Sequence, residues 1–204
     1  PAHIAAMAQA VAGVAPRRCA ALHADIDGPP QRLRLSGLLP FEKSPEIRFV
    51  NVGERTNISG SRAFARMIRA GDFAAAVDVA RDQVEGGAQI LDVNLDDGLI
   101  DGPTAMARFC RMLSAEPDIM RIPVMVDSSD FETIVAGLQN LQGRCVVNSL
   151  SLKDGEATFV ERARLVRRYG AAVVVMAFDE QGQADTLPRR VAILERAIGL
   201  LISQ

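Results

Sequence analysis

The sequence predicts an α/β fold made of repeated βα units, and three observations carry that prediction. From Ile47 onward, short apolar runs alternate with stretches of helical spacing. The runs are almost continuously apolar, as expected of parallel strands covered on both faces. Each one stops at a carboxylate or amide: Phe49-Val50-Asn51-Val52-Gly53-Glu54, Ile90-Leu91-Asp92-Val93-Asn94, Pro123-Val124-Met125-Val126-Asp127, Cys145-Val146-Val147-Asn148, and the run from Ala172 to Phe178 before Asp179. A polar residue that turns the chain at one strand end is ordinary. Five in succession point to a shared functional rim.

Whether the sheet is open or closed follows from those ends. A doubly wound dinucleotide fold needs a glycine-rich turn after its first strand, and Gly53-Glu54-Arg55-Thr56-Asn57 does not match that pattern. No phosphate-binding loop of the G-x-x-x-x-G-K type is present either. Polar side chains on every strand end suit the rim of a (β/α)8 barrel, where one site draws on many strands. About five units are present where such a barrel has eight. The expected architecture is therefore an incomplete (β/α)8 barrel over 47–204, cut short at its C-terminal end. An N-terminal helix and a linker precede it. Such a sheet would expose the edge of its fifth strand and apolar faces of its helices.

In chain order, residues 1–15 place Ile4, Met7, Ala8, Val11 and Val14 at i, i+3, i+4, i+7 spacing, with Pro1 suited to a first helical turn. This helix has no strand of its own and is expected to belong to a preceding module. Residues 16–46 contain Pro16, Gly28-Pro29-Pro30, Gly37, Pro40 and Pro45, which read as a linker with a short extended piece at 32–35. Strand one then ends at Glu54, and a loop leads to a short helix near 61–69. A second helix runs over 73–85, capped by Asp72 and stopped by Gly86-Gly87. Strand two covers 89–94. A loop carrying Asp96, Asp97 and Asp101 delivers a helix to about 114, with Pro103 in its first turn. Strand three is 122–127, followed by a helix over 130–140. Strand four is 145–148, followed by a helix over 156–169. Strand five is 171–177, and a last helix begins near Leu187.

Composition narrows the function. The chain of 204 residues is 49% hydrophobic and 24% charged, as in globular proteins, and its net charge of −2 gives nucleic acid or an anionic membrane no purchase. With no Trp and one Tyr, base-stacking platforms are not expected. No segment approaches the ~20 apolar residues of a membrane span. Cys19, Cys110 and Cys145 are odd in number and widely spaced, and read as reduced, buried thiols of a cytoplasmic protein. His3 and His23 are the only histidines, so Ser128 and Ser129 lack an obvious base and a hydrolase is a poor fit. The start, Pro1-Ala2-His3-Ile4, has neither an initiator Met nor a signal-peptide layout, which suggests a piece of a longer chain.

Four stretches together carry a resemblance: Val52-Gly53-Glu54-Arg55-Thr56-Asn57, Leu91-Asp92-Val93-Asn94, Val126-Asp127-Ser128-Ser129 and Asn148-Ser149-Leu150-Ser151. They resemble the pterin-binding barrel family, which includes dihydropteroate synthases, corrinoid-protein methyltetrahydrofolate methyltransferases and cobalamin-dependent methionine synthases. The linker stretch Leu33-Arg34-Leu35-Ser36-Gly37-Leu38 and the run Val174-Val175-Met176-Ala177-Phe178-Asp179-Glu180 are most similar to the last of these branches. The opening helix likewise resembles the end of that branch's homocysteine-binding module. The resemblance implies a folate pocket lined by Glu54, Asn57, Asp92, Asn94, Asp127 and Asn148. In it, Asp127 and Asn148 would hold the pterin ring during transfer of the N5 methyl of 5-methyltetrahydrofolate to cob(I)alamin. Cobalamin, and the zinc that serves homocysteine, would be bound by other modules of the parent chain. The isolated chain is expected to bind folate weakly or not at all and to be inactive.

These residue types fit that chemistry. A carboxylate accepts two parallel N–H bonds from the edge of a pterin, and an amide both donates and accepts as a ring nitrogen changes protonation. Against a dihydropteroate synthase, the glycine-rich Ser-Thr-Arg-Pro loop of that branch is missing after strand two, where Leu95-Asp96-Asp97 stands. A non-catalytic fragment is the other alternative. The cluster Asp96, Asp97 and Asp101 lacks the spacing of a calcium loop and is expected to be a solvated loop. Arg162, Arg164, Arg167 and Arg168 are expected on a solvated helix face, with a phosphate or polyglutamate contact as the less favoured role.

Overall fold

The computed structural model describes residues 2–15 and 32–203, and the chain divides between Arg32 and Leu33. The first unit contributes one helix, α1 (Ala2–Ala10), with no buried residue. Residues 16–31 of the expected 16–46 linker, with Cys19 and His23, lie outside the described residues.

In the second unit the extended piece predicted near 32–35 is one arm of a hairpin. Strand β1 (Arg34–Ser36) pairs antiparallel with β2 (Pro40–Glu42), setting Leu35 opposite Phe41. Leu35 is buried, and with Phe41 it packs against Ile90, Met125, Val146, Ala172 and Val174. The stretch 33–42 therefore works as a floor for the sheet that follows. Gly37 is required there, because a Cβ at that position would overlap the carbonyl oxygens of Met120 and Ile122.

Five parallel strands follow in sequence order: β3 (Val52–Gly53), β4 (Ile90–Asn94), β5 (Val124–Asp127), β6 (Val146–Leu150) and β7 (Ala172–Val175). The fold is α/β, a partial (β/α)8-barrel-like sheet with its helices on one side. Helices α2 (Arg62–Arg69) and α3 (Phe73–Glu85) connect β3 to β4, while α4 (Gly102–Ser114) and the short α5 (Pro117–Met120) connect β4 to β5. Helix α6 (Phe131–Leu138) leads to β6. A 3-10 turn (Leu152–Asp154) and α7 (Glu156–Arg168) lead to β7. A small hairpin, β8 (Phe178–Asp179) with β9 (Gly182–Gln183), precedes α8 (Leu187–Ile202).

Local signals set these bounds. The side chains of Ser61, Asp72, Asp101 and Asp130 each accept a backbone N–H in the first turn of the helix they precede. Strand one is shorter than expected, two residues where 49–54 was anticipated. Phe49 stays exposed there, and the Asn51 N–H donates to the Gln89 side chain while its carbonyl accepts from the Gln89 and Ile90 N–H groups. The α5 turn, the 3-10 turn and the β8–β9 hairpin have too few residues to show any periodicity.

Strand alternation divides the side chains between two faces. Leu91, Val93, Val124, Val126 and Val147 face the helices and join the main core with Phe64, Phe109 and Phe159. Ile90, Met125 and Val146 face the hairpin floor. The same parity places Asp92, Asn94, Asp127 and Asn148 on this second face, further along their strands. Cys110 and Cys145 are free, buried thiols, and burial raises the pKa of both. Among the described residues no helix is long and apolar enough to cross a membrane.

Candidate functional site

Register, more than any single motif, builds the site. Asn57 bridges to Asn94, Asn94 pairs with Asp127, and Asp127 pairs with Asn148. Four polar residues, far apart in sequence, thus form one row across four adjacent segments. Below that row Asp92 lies beside Met125.

Side-chain bonds tie the row together. Asn57 Nδ2 donates to Asp92 Oδ2 at 3.0 Å and to Asp127 Oδ2 at 3.2 Å. Asn94 Nδ2 donates to the same Asp127 oxygen at 3.1 Å. Both amides are oriented by their own oxygens: Asn57 Oδ1 accepts from the Ser59 and Gly60 N–H groups, and Asn94 Oδ1 accepts from the Asp96 N–H. Asp127 therefore spends one carboxylate oxygen on two donors, while Oδ1 makes no bond among the described residues. The Asn148 side chain, half-buried beside it, has no such bond either.

The loop that presents Asn57 is anchored from behind. Buried Thr56 donates its hydroxyl to the Asp92 carbonyl and accepts from Gln83 Nε2 at 3.2 Å. Gln83 Oε1 in turn accepts the Arg55 N–H at 2.6 Å. A Cβ at Gly53 would come within 2.8 Å of that same oxygen, which explains the glycine.

Asp96 and Ser128 complete the wall. Ser128 Oγ donates to Asp96 Oδ1 at 2.5 Å, and the Ser129 N–H donates to Oδ2 at 2.6 Å. Asp96 is thus not the solvated loop residue expected from sequence. It clasps the loop after β5 and lines the cavity. Its former cluster mates go elsewhere: Asp97 pairs with Arg69 at 2.5 Å and Asp101 caps α4. Arg162 is a second correction. Far from standing on an open helix face, it bonds Asp154 at 2.7 Å, lies 5.2 Å from the centroid of Phe131, and lines the same cavity.

That cavity, about 300 Å³, is walled by Asp96, Asp127 and Asn148, by Phe131, Ile134, Met176 and Phe178, and by Lys153 and Arg162. Of the residues expected to hold a ligand, Asp127 and Asn148 line it directly, while Asn57, Asp92 and Asn94 support Asp127. Glu54 is exposed at the end of β3, near enough for its charge to act on Asp92 and Asp127. Sequence reasoning missed Thr56, Gln83, Asp96 and Ser128. Gln83 left a signal, since it stands on the buried stripe of α3 defined by Ala76 and Ala80.

Crowded carboxylates titrate unusually. Burial pushes the pKa of Asp92 up to about 7. The Asn57 bond opposes that rise, while the charges of Asp127 and Glu54 add to it. Burial also raises Asp127, against the Asn94 and Asn57 bonds, with Asp96 and Glu54 adding to the rise. A carboxyl group raised on folding favours the folded state when protonated. Its contribution is complete below the unfolded carboxyl range and is lost as pH rises through about 7 for Asp92. Stability should therefore fall between about pH 4 and pH 7, by up to about 1.4 kcal/mol for each pH unit from this group. Urea melts across that range should show a shallower fall in Asp92→Asn. An identical pH profile in the variant would contradict the assignment.

Chemically, the cluster offers an acceptor oxygen, an adjacent amide that can donate or accept, and a carboxyl group able to keep a proton near neutrality. A flat heterocycle with mixed donors and acceptors along one edge is the ligand such a set fits. Comparison with known families agrees: the model described as pterin binding enzyme matches residues 53–203, from β3 through α8. That match spans well over half of the sequence, and the chain belongs to the pterin-binding enzyme family.

Proposed function

We propose that this chain binds 5-methyltetrahydrofolate, and that in its parent protein the N5 methyl group passes to cob(I)alamin on the way from homocysteine to methionine. The single observation that carries this reading is the row Asn57, Asn94, Asp127 and Asn148, held in register at one rim, with Asp127 and Asn148 lining the cavity. Asp127 accepts ring N–H and amino donors, and Asn57 and Asn94 fix its plane. Asn148 meets the ring nitrogens, donating to or accepting from N5 as its protonation changes. N5 leaves poorly until it is protonated, so a group that keeps a proton near neutral pH helps mainly in the transition state. Asn148 beside N5, with water held by the nearby carboxylates, would favour the protonated amine in that way. Cobalamin, when bound by its own module, supplies the Co(I) nucleophile. No residue of this chain is assigned to cobalamin or to the zinc of the homocysteine module. The folate and those two modules are the partners, and the cytoplasm is the location that goes with them.

The test is methyl transfer from 5-methyltetrahydrofolate to cob(I)alamin, followed through the cobalamin spectrum in the parent protein. Asn148→Ala should slow transfer by about 100-fold or more. Turnover of a pterin pyrophosphate with p-aminobenzoate instead would replace this reading with that of a dihydropteroate synthase.

A further inference from the structure

Among the described residues, Lys153 is the one charged side chain of the cavity with no hydrogen bond or ion pair. Asp96 is bonded to Ser128 and Ser129, Asp127 to two amides, and Arg162 to Asp154. Lys153 sits in the 3-10 turn Leu152–Asp154, five positions after Asn148 on the connection from β6 to α7. Leu152, completely buried, pins that turn to the core. The backbone is therefore held while the Lys153 side chain stays exposed and lines the cavity.

The walls divide by chemistry. Asp127 and Asn148 serve a polar ring edge, Phe131 and Phe178 offer apolar surface, and the ammonium of Lys153 waits for an anion. Arg162 adds little free charge, because Asp154 already accepts from it and its guanidinium lies against the Phe131 ring. A bare pterin would satisfy the first two parts and leave the third unused. We infer that Lys153 pairs with a carboxylate on the tail of a folate-class ligand whose pterin ring rests on Asp127 and Asn148. The inference depends on the pterin site proposed above and adds to it a determinant for the tail.

Because the ammonium is exposed, the contact is a modest one that salt screens. Affinities of the parent protein for 5-methyltetrahydrofolate and for a tail-free 5-methyl-tetrahydropterin can be read by equilibrium titration carried to millimolar ligand. In low salt, Lys153→Met should weaken the tailed ligand about three- to fivefold and leave the tail-free one unchanged. Lys153→Arg should restore the affinity, and high salt should erase the difference between wild type and Lys153→Met. Equal losses for both ligands, or no loss for the tailed one, would overturn the tail contact and leave the pterin site standing. If the wild type bound neither ligand, the pterin reading itself would fall, and the tail contact with it.

Discussion

Replacing Asp127 with alanine is expected to reduce pterin affinity about 10- to 100-fold, the range of a hydrogen bond to a charged group. The carboxylate sits at the centre of the row. It joins Asn57 from the loop after β3 with Asn94 from β4, and it lines the cavity with its second oxygen unbonded among the described residues. Its loss removes the acceptor for the ligand, leaves the Asn94 amide without its acceptor and leaves Asn57 with Asp92 alone. Asp127→Asn should cost nearly as much, because the amide replaces one acceptor with a donor that faces other donors. Neither variant should unfold the protein, since burial raises the pKa of this carboxyl group and its charged form gives the fold no support. Equilibrium binding together with a thermal melt separates the two effects. Wild-type affinity in Asp127→Ala would remove this residue from the site.

Phe109→Ala should bring the largest loss of stability, about 3–5 kcal/mol. Phe109 is fully buried on α4, where it meets Phe64 of α2 edge-on at 5.6 Å and Phe73 of α3 at 6.4 Å. Three helices thus share one aromatic contact behind the sheet, and Arg108 covers the outer face of Phe73 at 4.2 Å. Truncation leaves a cavity that those helices cannot close without shifting from β4 and β5. For a unit of this size the midpoint of thermal unfolding should drop by about 10 °C. A loss below about 1 kcal/mol would mean that the helical layer repacks freely.

Much of the architecture was legible because it rests on local patterns. The apolar runs at 90–94 and 124–127 show their strands by length and by their polar stops. Asp72, Pro103 and Asp130 mark helix starts in the expected places. What escaped depends on tertiary contact. Leu33 to Glu42, rich in proline and glycine nearby, reads as a linker, yet Leu35 and Phe41 plug the inner face of the sheet. Nothing within that stretch shows that Ile90 and Val146 need a cover.

The candidate site divides in the same way. Asp127 and Asn148 stand out as strand ends, and alternation is enough to put them on one face. Asp96 and Arg162 do not stand out, because an acidic loop and an arginine-rich helix look solvated until the loop after β5 and Phe131 are brought against them. Thr56 and Gln83 act through backbone groups of neighbouring segments. No spacing rule in the sequence connects them.

The most direct test is to titrate the parent protein, isotopically labelled at its asparagine and glutamine side chains, with a reduced pterin and to follow the side-chain amide signals. Those of Asn57, Asn94 and Asn148 should shift together and saturate with one binding curve, while the amides of Asn140 and Gln139, away from the cavity, stay in place. Movement of distant amides alone, with these three silent at millimolar ligand, would contradict a pterin held at the rim of this sheet.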